Sequence, residues 1–185
     1  TTAIGLIDKT YNETAGDTVT NLTGETFYCG DKSEEIADYS YSIKQNSDHL
    51  VKSTTVFYYD PTALQTGRQR ASAADDEAAM IESDSYKYDA WITVDGALTL
   101  DEAKIQSTTF YTGEKSDEIA NYSYNFKLGD RSDVRTVSVF YYTANESRAT
   151  SASSEDAMTK SETYKTTGIG LIDKTYNETA GDTVT

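Results

Sequence analysis

The chain repeats itself, and this repetition constrains its fold more than any other feature. Residues 26–60, TFYCGDKSEEIADYSYSIKQNSDHLVKSTTVFYYD, recur without a gap as residues 109–143, with 18 of 35 positions identical at a displacement of 83. Further along, residues 76–87 resemble residues 154–165 at a displacement of 78. Self-similarity at a fixed period is typical of modular arrays. The sequence therefore predicts two divergent copies of a unit of about 82 residues.

A second repetition links the two ends. Residues 4–20, IGLIDKTYNETAGDTVT, return letter for letter as residues 169–185, which gives a period of 169 − 4 = 165. Either a terminal signal is used twice, or the chain is a window on a longer array. The internal copies favour the array. We therefore expect 1–16 to be the tail segment of a preceding repeat, 17–95 the first copy, and 96–185 the second copy with the start of the next repeat.

Charge narrows the classes of partner. Acidic residues outnumber basic ones 31 to 16, so the net charge is −15. Such a surface repels nucleic acid and anionic membranes. Nucleic acid is therefore not expected as a partner. No apolar run has the length of a membrane span, so no membrane span is expected either. The one cysteine, Cys29, is matched by Thr112 in the second copy, which excludes a disulfide within the unit.

Alternating polar and apolar residues predict strands. In DYSYSIK, Tyr39, Tyr41 and Ile43 fall on one face and serines and lysine on the other, and NYSYNFK repeats the pattern. Each is followed by a β-branched and aromatic run, STTVFYY or TVSVFYY, so each pair is expected to form a hairpin. Another strand, YDAWITV, should end in a turn at Asp95–Gly96.

A short helical segment is expected in each copy. Ser72 could cap a turn or two in which acidic residues precede Ala78, Ala79 and Met80, and Ser153 could do the same in the second copy. The fold class expected is all-β, with two tandem small β-sandwich domains that each carry this segment. The arrangement resembles the tandem immunoglobulin-like repeat proteins of extracellular fibres and cell surfaces, although it lacks the Cys-Trp-Cys pattern of true immunoglobulin domains.

Asparagine is concentrated in glycosylation triplets. Five of the seven asparagines begin an Asn-X-Ser/Thr triplet, and these are Asn12, Asn21, Asn121, Asn145 and Asn177. Serine and threonine make up 46 of 185 residues, so chance predicts fewer than two such triplets. The enrichment predicts N-linked glycans and an extracellular location. The alternative is that a chain rich in threonine produces the triplets by accident.

The residues that usually carry catalysis are sparse. Histidine and cysteine each occur once, as His49 and Cys29, and neither is shared between the copies, so an enzyme is not expected. The stretch VDGALTLDE lacks the first two carboxylates of a helix-loop-helix calcium loop. No cofactor is expected. Weak calcium sites remain an alternative, at acidic residues taken from Asp17, Asp31, Glu114 and Asp182.

Two classes of function remain once an enzyme is not expected. A structural repeat unit of an extracellular glycosylated filament, stalk or surface layer explains the repetition, because a repeated contact needs the same surface in each period. Its partners would be copies of itself. A multivalent adhesin or carbohydrate-binding repeat is the alternative, with Trp91 and exposed tyrosines stacking on sugars. An isopeptide cross-link through Lys44 or Lys127 is a further variant of the structural hypothesis.

Overall fold

The computed structural model describes residues 22–44, 50–61 and 67–170, and within them every long element is a strand. The strands are β1 Gly24–Cys29, β2 Ile36–Ile43, β3 Val51–Tyr59, β4 Gln69–Arg70, β5 Met80–Lys87, β6 Trp91–Val94, β7 Ala97–Leu100, β8 Ile105–Thr112, β9 Ile119–Lys127, β10 Asp130–Tyr142, β11 Ser147–Arg148 and β12 Met158–Tyr164. Two short 3-10 turns cover Glu102–Lys104 and Ala149–Ser151. The prediction of an all-β fold is confirmed.

One antiparallel sheet runs through both copies. Its long strands follow the order β1-β2-β3-β5-β8-β9-β10, with β12 on the far side of β10, while β4 and β11 add two residues each. The four long strands of the first copy are thus followed directly by the four of the second. Strands β6 and β7 form a separate hairpin.

The two copies have the same strand order, as the sequence duplication predicts. In each, three long strands are followed by a two-residue strand and a fourth long strand, so that β1-β2-β3-β5 matches β8-β9-β10-β12. The displacement between the copies falls from 83 to 78 in the loop between the third strand and the two-residue strand. That loop has nine residues, 60–68, in the first copy and four, 143–146, in the second.

The finer expectation, two immunoglobulin-like sandwiches divided between 95 and 96, is not confirmed. Backbone pairing joins β5 of the first copy to β8 of the second over residues 82–86 and 105–110. The predicted boundary lies in the turn of the β6–β7 hairpin, where Asp95 and Gly96 both have positive φ. This turn and the two tyrosine-rich hairpins are confirmed.

The predicted short helices are wrong. Residues 71–79 form a series of turns, and Met80 opens strand β5 instead of closing a helix. The expected cap, Ser72, lies within these turns, and Asp75 instead accepts a hydrogen bond from the Glu77 amide before the chain leaves the turn at Ala78. In the second copy, the residues after Ser153 also form turns before β12 begins.

One face of the sheet is aromatic. Phe27 stacks on Tyr39 with ring centroids 4.5 Å apart, and in the second copy Phe110 stacks on Tyr122 at 4.7 Å. Aromatic rings in such offset or edge contacts fill a shallow core and let tyrosine hydroxyls reach polar partners. The β6–β7 hairpin lies over the first copy, where Trp91 makes an edge contact with Tyr39.

The opposite face carries hydroxyl groups. Side chains alternate between faces along a strand, so residues paired across neighbouring strands line up in rows. One row crosses seven strands and consists of Thr26, Ser40, Thr55, Ser85, Ser107, Asn125 and Thr136. Along this row the sheet is therefore aromatic on one side and polar on the other, as alternation in the sequence predicts, although Phe57 on the polar side joins a separate apolar cluster with Tyr59 and Ile36.

Candidate functional site: the junction between the copies

The junction between the copies is built by direct strand pairing. Glu82, Asp84 and Tyr86 alternate along β5 and point to the aromatic face, and Asp84 lies opposite Thr108 of β8. Val56 of β3 is its neighbour on the other side. An acidic side chain here is surrounded by core residues, and Asp84 is fully buried. A buried carboxylate is costly unless it is paired and hydrogen-bonded.

Asp84 has partners from three elements. Thr108 donates a hydrogen bond of 2.5 Å to Oδ1, and Arg131, at the start of β10, reaches both carboxylate oxygens at 3.0 and 2.7 Å. Arg68, which lies beside β4, adds an ion pair of 2.9 Å. Arginine forks of this kind are among the strongest ionic contacts. The cluster ties the loop before β4, the strand β5 and the hairpin of the second copy together.

The two arginines extend the cluster to its rim. Arg131 also donates to Glu102 at 2.6 Å and to the Tyr86 hydroxyl at 2.9 Å. Arg68 pairs with Glu82 and lies over the Tyr58 ring, 3.9 Å from its centroid. Both arginine side chains are about one third exposed. The cluster is thus buried at its carboxylate and open to water at its cations.

Electrostatics follow from this geometry. Burial alone would raise the pKa of Asp84, but hydrogen bonds from Arg131 and Thr108 and the charge of Arg68 outweigh it and lower that pKa. Burial raises the pKa of Glu82 despite its pairing with Arg68. Burial also raises the pKa of Tyr86, whose hydroxyl stays neutral and donates to Glu102 at 3.1 Å. The arrangement is that of a structural ion-pair cluster, with one ionised carboxylate at its centre.

Outside the cluster, three polar contacts cross the junction. The Met80 amide donates to Glu118 at 2.9 Å, the Ser83 and Tyr111 hydroxyls lie 3.1 Å apart, and Lys115 pairs with Glu77 at 3.3 Å. These contacts lie at the end of the junction where β5 begins and β8 ends. They fix the register of the two strands at their polar rim.

A glycine turn positions the residues of β8 and β9 that make these contacts. Gly113 has φ of +127°, and a Cβ there would lie 2.3 Å from the Asp117 carbonyl oxygen. Gly30 occupies the same place in the first copy, with φ of +116° and 2.4 Å to the Glu34 oxygen. Only glycine fits such a backbone. This explains why the glycine of the motif Gly-acid-Lys-Ser is kept in both copies.

The predicted glycosylation residues have different settings. Asn12, Asn21 and Asn177 lie outside the described residues. Asn145 is exposed in the turn after β10. Asn121 is half-buried in β9, and its Oδ1 accepts a hydrogen bond of 2.9 Å from Arg148. Glycosylation of each residue stays a prediction.

The other sequence candidates are not brought together. Asp17, Asp182 and His49 lie outside the described residues, and Asp31 and Glu114 lie exposed in equivalent turns of different copies. Among the described residues no group of three His, Cys, Asp or Glu side chains could hold a metal ion.

The residues considered for cross-linking and sugar stacking also have other settings. Lys44 and Lys127 are exposed, and neither is the buried lysine that an isopeptide cross-link between adjacent strands would need. Trp91 packs on Tyr39, and Arg70 lies over its ring, 5.0 Å from the centroid.

Comparison with other proteins leaves the site to be interpreted from its own geometry. Neither the models of protein families, nor the curated proteins, nor the solved structures include a match to this chain. In the part of the chain that the structure describes, no helix has the length and apolar character needed to cross a membrane.

Proposed function

We propose that this chain is a structural repeat unit of an extracellular, glycosylated filament, stalk or surface layer. The observation that carries the proposal is the junction, where one repeat is joined to the next by strand pairing and by the buried Asp84–Arg131 ion pair. Repeats joined in this way share one hydrogen-bonded sheet. Force applied along such an assembly is carried by many backbone hydrogen bonds, which suits a mechanical role.

Three further features support this function. The copies share their topology, so each presents the same strand edges in the same order. The long strands and the exposed triplet at Asn145 fit a surface protein that carries N-linked glycans. The chain resembles tandem immunoglobulin-like repeat proteins in its repetition and in its strand content. It differs from them in the sheet that runs on between the repeats.

Immunolabelling tests this proposal in the organism that makes the protein. Antibodies raised against the recombinant chain should label filaments or layers outside the cell in electron micrographs, and treatment with an N-glycosidase should lower the mass of the extracted protein. Antibody preabsorbed with the chain is the control. Label confined to the inside of cells, on a protein whose mass does not change, would overturn the proposal.

A further inference from the structure

The first and last long strands of the described sheet lie at its two edges. Within the described residues, β1 pairs only with β2, and β12 pairs only with β10. Seven strand spacings separate these edges, or about 34 Å. Unpaired strand edges are templates for pairing with another chain unless they are blocked. The described residues of β1 and β12 contain no proline.

The two edges are equivalent to the two sides of the internal junction. Strand β12 matches β5 at a displacement of 78, and β1 matches β8 at a displacement of 83. Pairing of β12 with β1 of another molecule would therefore repeat the pairing of β5 with β8. The register follows directly, because Ser83 faces Thr109 at the internal junction and Ser161 would then face Thr26.

Apolar exposure marks the same two edges. Three of the large apolar side chains exposed on the described surface lie here, with Phe27 39%, Tyr28 62% and Met158 49% exposed. Their equivalents at the internal junction are each only partly exposed, and they are Phe110, Tyr111 and Met80. The neighbouring copy is what covers them there. A second molecule in the same place would cover the edge residues as well.

The polar contacts of the internal junction also have counterparts at the edges. Ser83 and Tyr111 correspond to Ser161 and Tyr28, so the same hydroxyl contact can form. The pair of Glu77 with Lys115 corresponds to Glu155 and Lys32. The acid and the lysine therefore keep their positions, and the ion pair can form again.

The backbone contact at the end of the junction is preserved too. The Met80 amide corresponds to that of Met158, and its acceptor Glu118 corresponds to Glu35. All three contacts outside the cluster are therefore chemically possible between two molecules.

The buried ion pair is not preserved. Asp84 and its neighbour Thr108 correspond to Glu162 and Glu25, so two acids would face each other. In the sequence, the residue aligned with Arg131 is Asp48, which lies outside the described residues. Like charges directly opposite each other destabilise a strand pair. Lys160 pairs with Glu162 at 2.7 Å and supplies a cation on the β12 side of this position. The edges thus match in shape and register, but they carry a charge mismatch.

We propose that the outer edge of β12 binds the outer edge of β1 in a second copy of this chain, in the register of β5 with β8. This inference rests on the proposed function, and it names the surface and the partner through which the repeats assemble. The mismatch of Glu25 and Glu162 makes the contact weaker than the internal junction. The affinity of this contact between molecules is consequently expected to depend on the charges of Glu25 and Glu162.

Disulfide trapping in the full chain tests the register. On a Cys29→Ser background, Ser161→Cys is combined with Thr26→Cys, which the proposal places directly opposite each other between molecules. Opposed strand residues lie close enough for a disulfide, whereas these two positions within one molecule lie about 34 Å apart. Oxidation should give a ladder of covalent dimers and larger species on a non-reducing gel.

The matched control moves one cysteine by two residues on the same face. Thr163→Cys with Thr26→Cys keeps both strands and both exposures, but the proposed register places Thr163 opposite Gly24. The ladder should be at least about five-fold weaker, because diagonal neighbours lie about 7–8 Å apart. An equal ladder from both variants, or monomer alone from both, would overturn the inference. Extracellular label from the antibody would still stand in that case, so the two proposals fail separately.

A charge variant tests the mismatch. Glu25→Thr restores the residue found at the internal junction and should lower the dissociation constant of self-association about two- to five-fold at neutral pH. Asp133→Thr removes the same charge from the β9–β10 hairpin, away from both edges, and serves as its control. Sedimentation equilibrium measures both. Equal effects of the two variants would show that net charge acts, and would contradict a specific contact at Glu25.

Discussion

Asp84 and Glu162 occupy the same place in the two copies and have different surroundings. Asp84 is fully buried under Arg131 and the strand β8, whereas Glu162 lies on the outermost strand and keeps about one third of its side chain exposed. Each lies next to a tyrosine two residues further along, Tyr86 or Tyr164. The difference shows that burial of this position comes from the next copy. The junction, and not the unit alone, creates the ionic core.

The ion pairs beside these two acids are reversed in charge. Arg68 pairs with Glu82 in the first copy, and the equivalent positions in the second copy hold Glu146 and Lys160, which pair at 2.7 Å. The backbone therefore places these two side chains in contact whichever one is the cation. What the neighbouring copy adds is a second cation for Asp84, because Arg131 reaches that carboxylate from across the junction, beside the Thr108 hydroxyl.

Removing the buried carboxylate should cause the largest loss of stability among these variants. Asp84→Asn leaves Arg68 and Arg131 without their shared anion, and we expect the free energy of unfolding to fall by about 2–4 kcal/mol. Glu162→Gln, at the equivalent exposed position, should cost only about 0–1 kcal/mol. Urea unfolding followed by circular dichroism measures both. Equal losses would show that the junction does not bury an ionic core.

Acid should act on the same carboxylate. A depressed pKa in the folded state means that Asp84 stabilises the fold at pH values above its ordinary pKa, and that this contribution is lost as pH falls through the folded value. Glu82, whose pKa burial raises, acts in the opposite sense as pH falls. The stability advantage of the wild type over Asp84→Asn should therefore shrink below about pH 4. Urea titrations at several pH values measure it, and an advantage that grows in acid would contradict the assignment.

Part of this structure can be predicted from sequence, and the reason is local. The alternation in DYSYSIK gives both the strand and its face, and Asp95–Gly96 gives the turn, since each depends on residues close in the chain. The short helices are wrong although Ser72 and a run of acidic residues precede the apolar residues as at a helix start, because the Met80 amide is bound by Glu118 from the next copy. The local preference for a helix is overridden by pairing between strands of the two copies, which no single segment reveals.

The candidate site was missed for a related reason. Asp84 and Arg131 lie 47 residues apart, and nothing in the spacing of either links them. One signal was available, because Asp84 stands between Glu82 and Tyr86 on the face that carries the core residues of its hairpin neighbours. An acid on a buried face needs a cation from another element. The continuous sheet was missed because a period of two shows which face of a strand is buried but not which strands lie beside it.

Exchanging the two charges of the Arg68–Glu82 ion pair tests whether the copies are equivalent at these positions. Arg68→Glu alone places a third acid beside Asp84 and Glu82, and Glu82→Lys alone places a second cation beside Arg68, so each single variant should lose about 1–2 kcal/mol. The double variant reproduces the order found at Glu146 and Lys160 and should recover at least half of the summed loss. A double-mutant cycle from urea unfolding gives the coupling. Strictly additive losses would show that the two pairs are not equivalent.

The smallest effect concerns a single hydroxyl at the rim of the junction. Tyr111 meets Ser83 across the strands at 3.1 Å, whereas Tyr28, its equivalent on the free edge of β1, is 62% exposed. Removing one partner from a partly buried hydrogen bond costs about 0.5–1.5 kcal/mol, and removing a solvated hydroxyl costs almost nothing. Tyr111→Phe should therefore lower the free energy of unfolding by about 1 kcal/mol, while Tyr28→Phe should leave it unchanged in dilute monomer.

At concentrations where copies associate, Tyr28→Phe should weaken association, because the Tyr28 hydroxyl then has the place that the Tyr111 hydroxyl holds within the chain. Urea unfolding at low concentration and sedimentation at high concentration separate the two effects. A loss of monomer stability in Tyr28→Phe that equals the loss in Tyr111→Phe would contradict the distinction between the paired and the free edge.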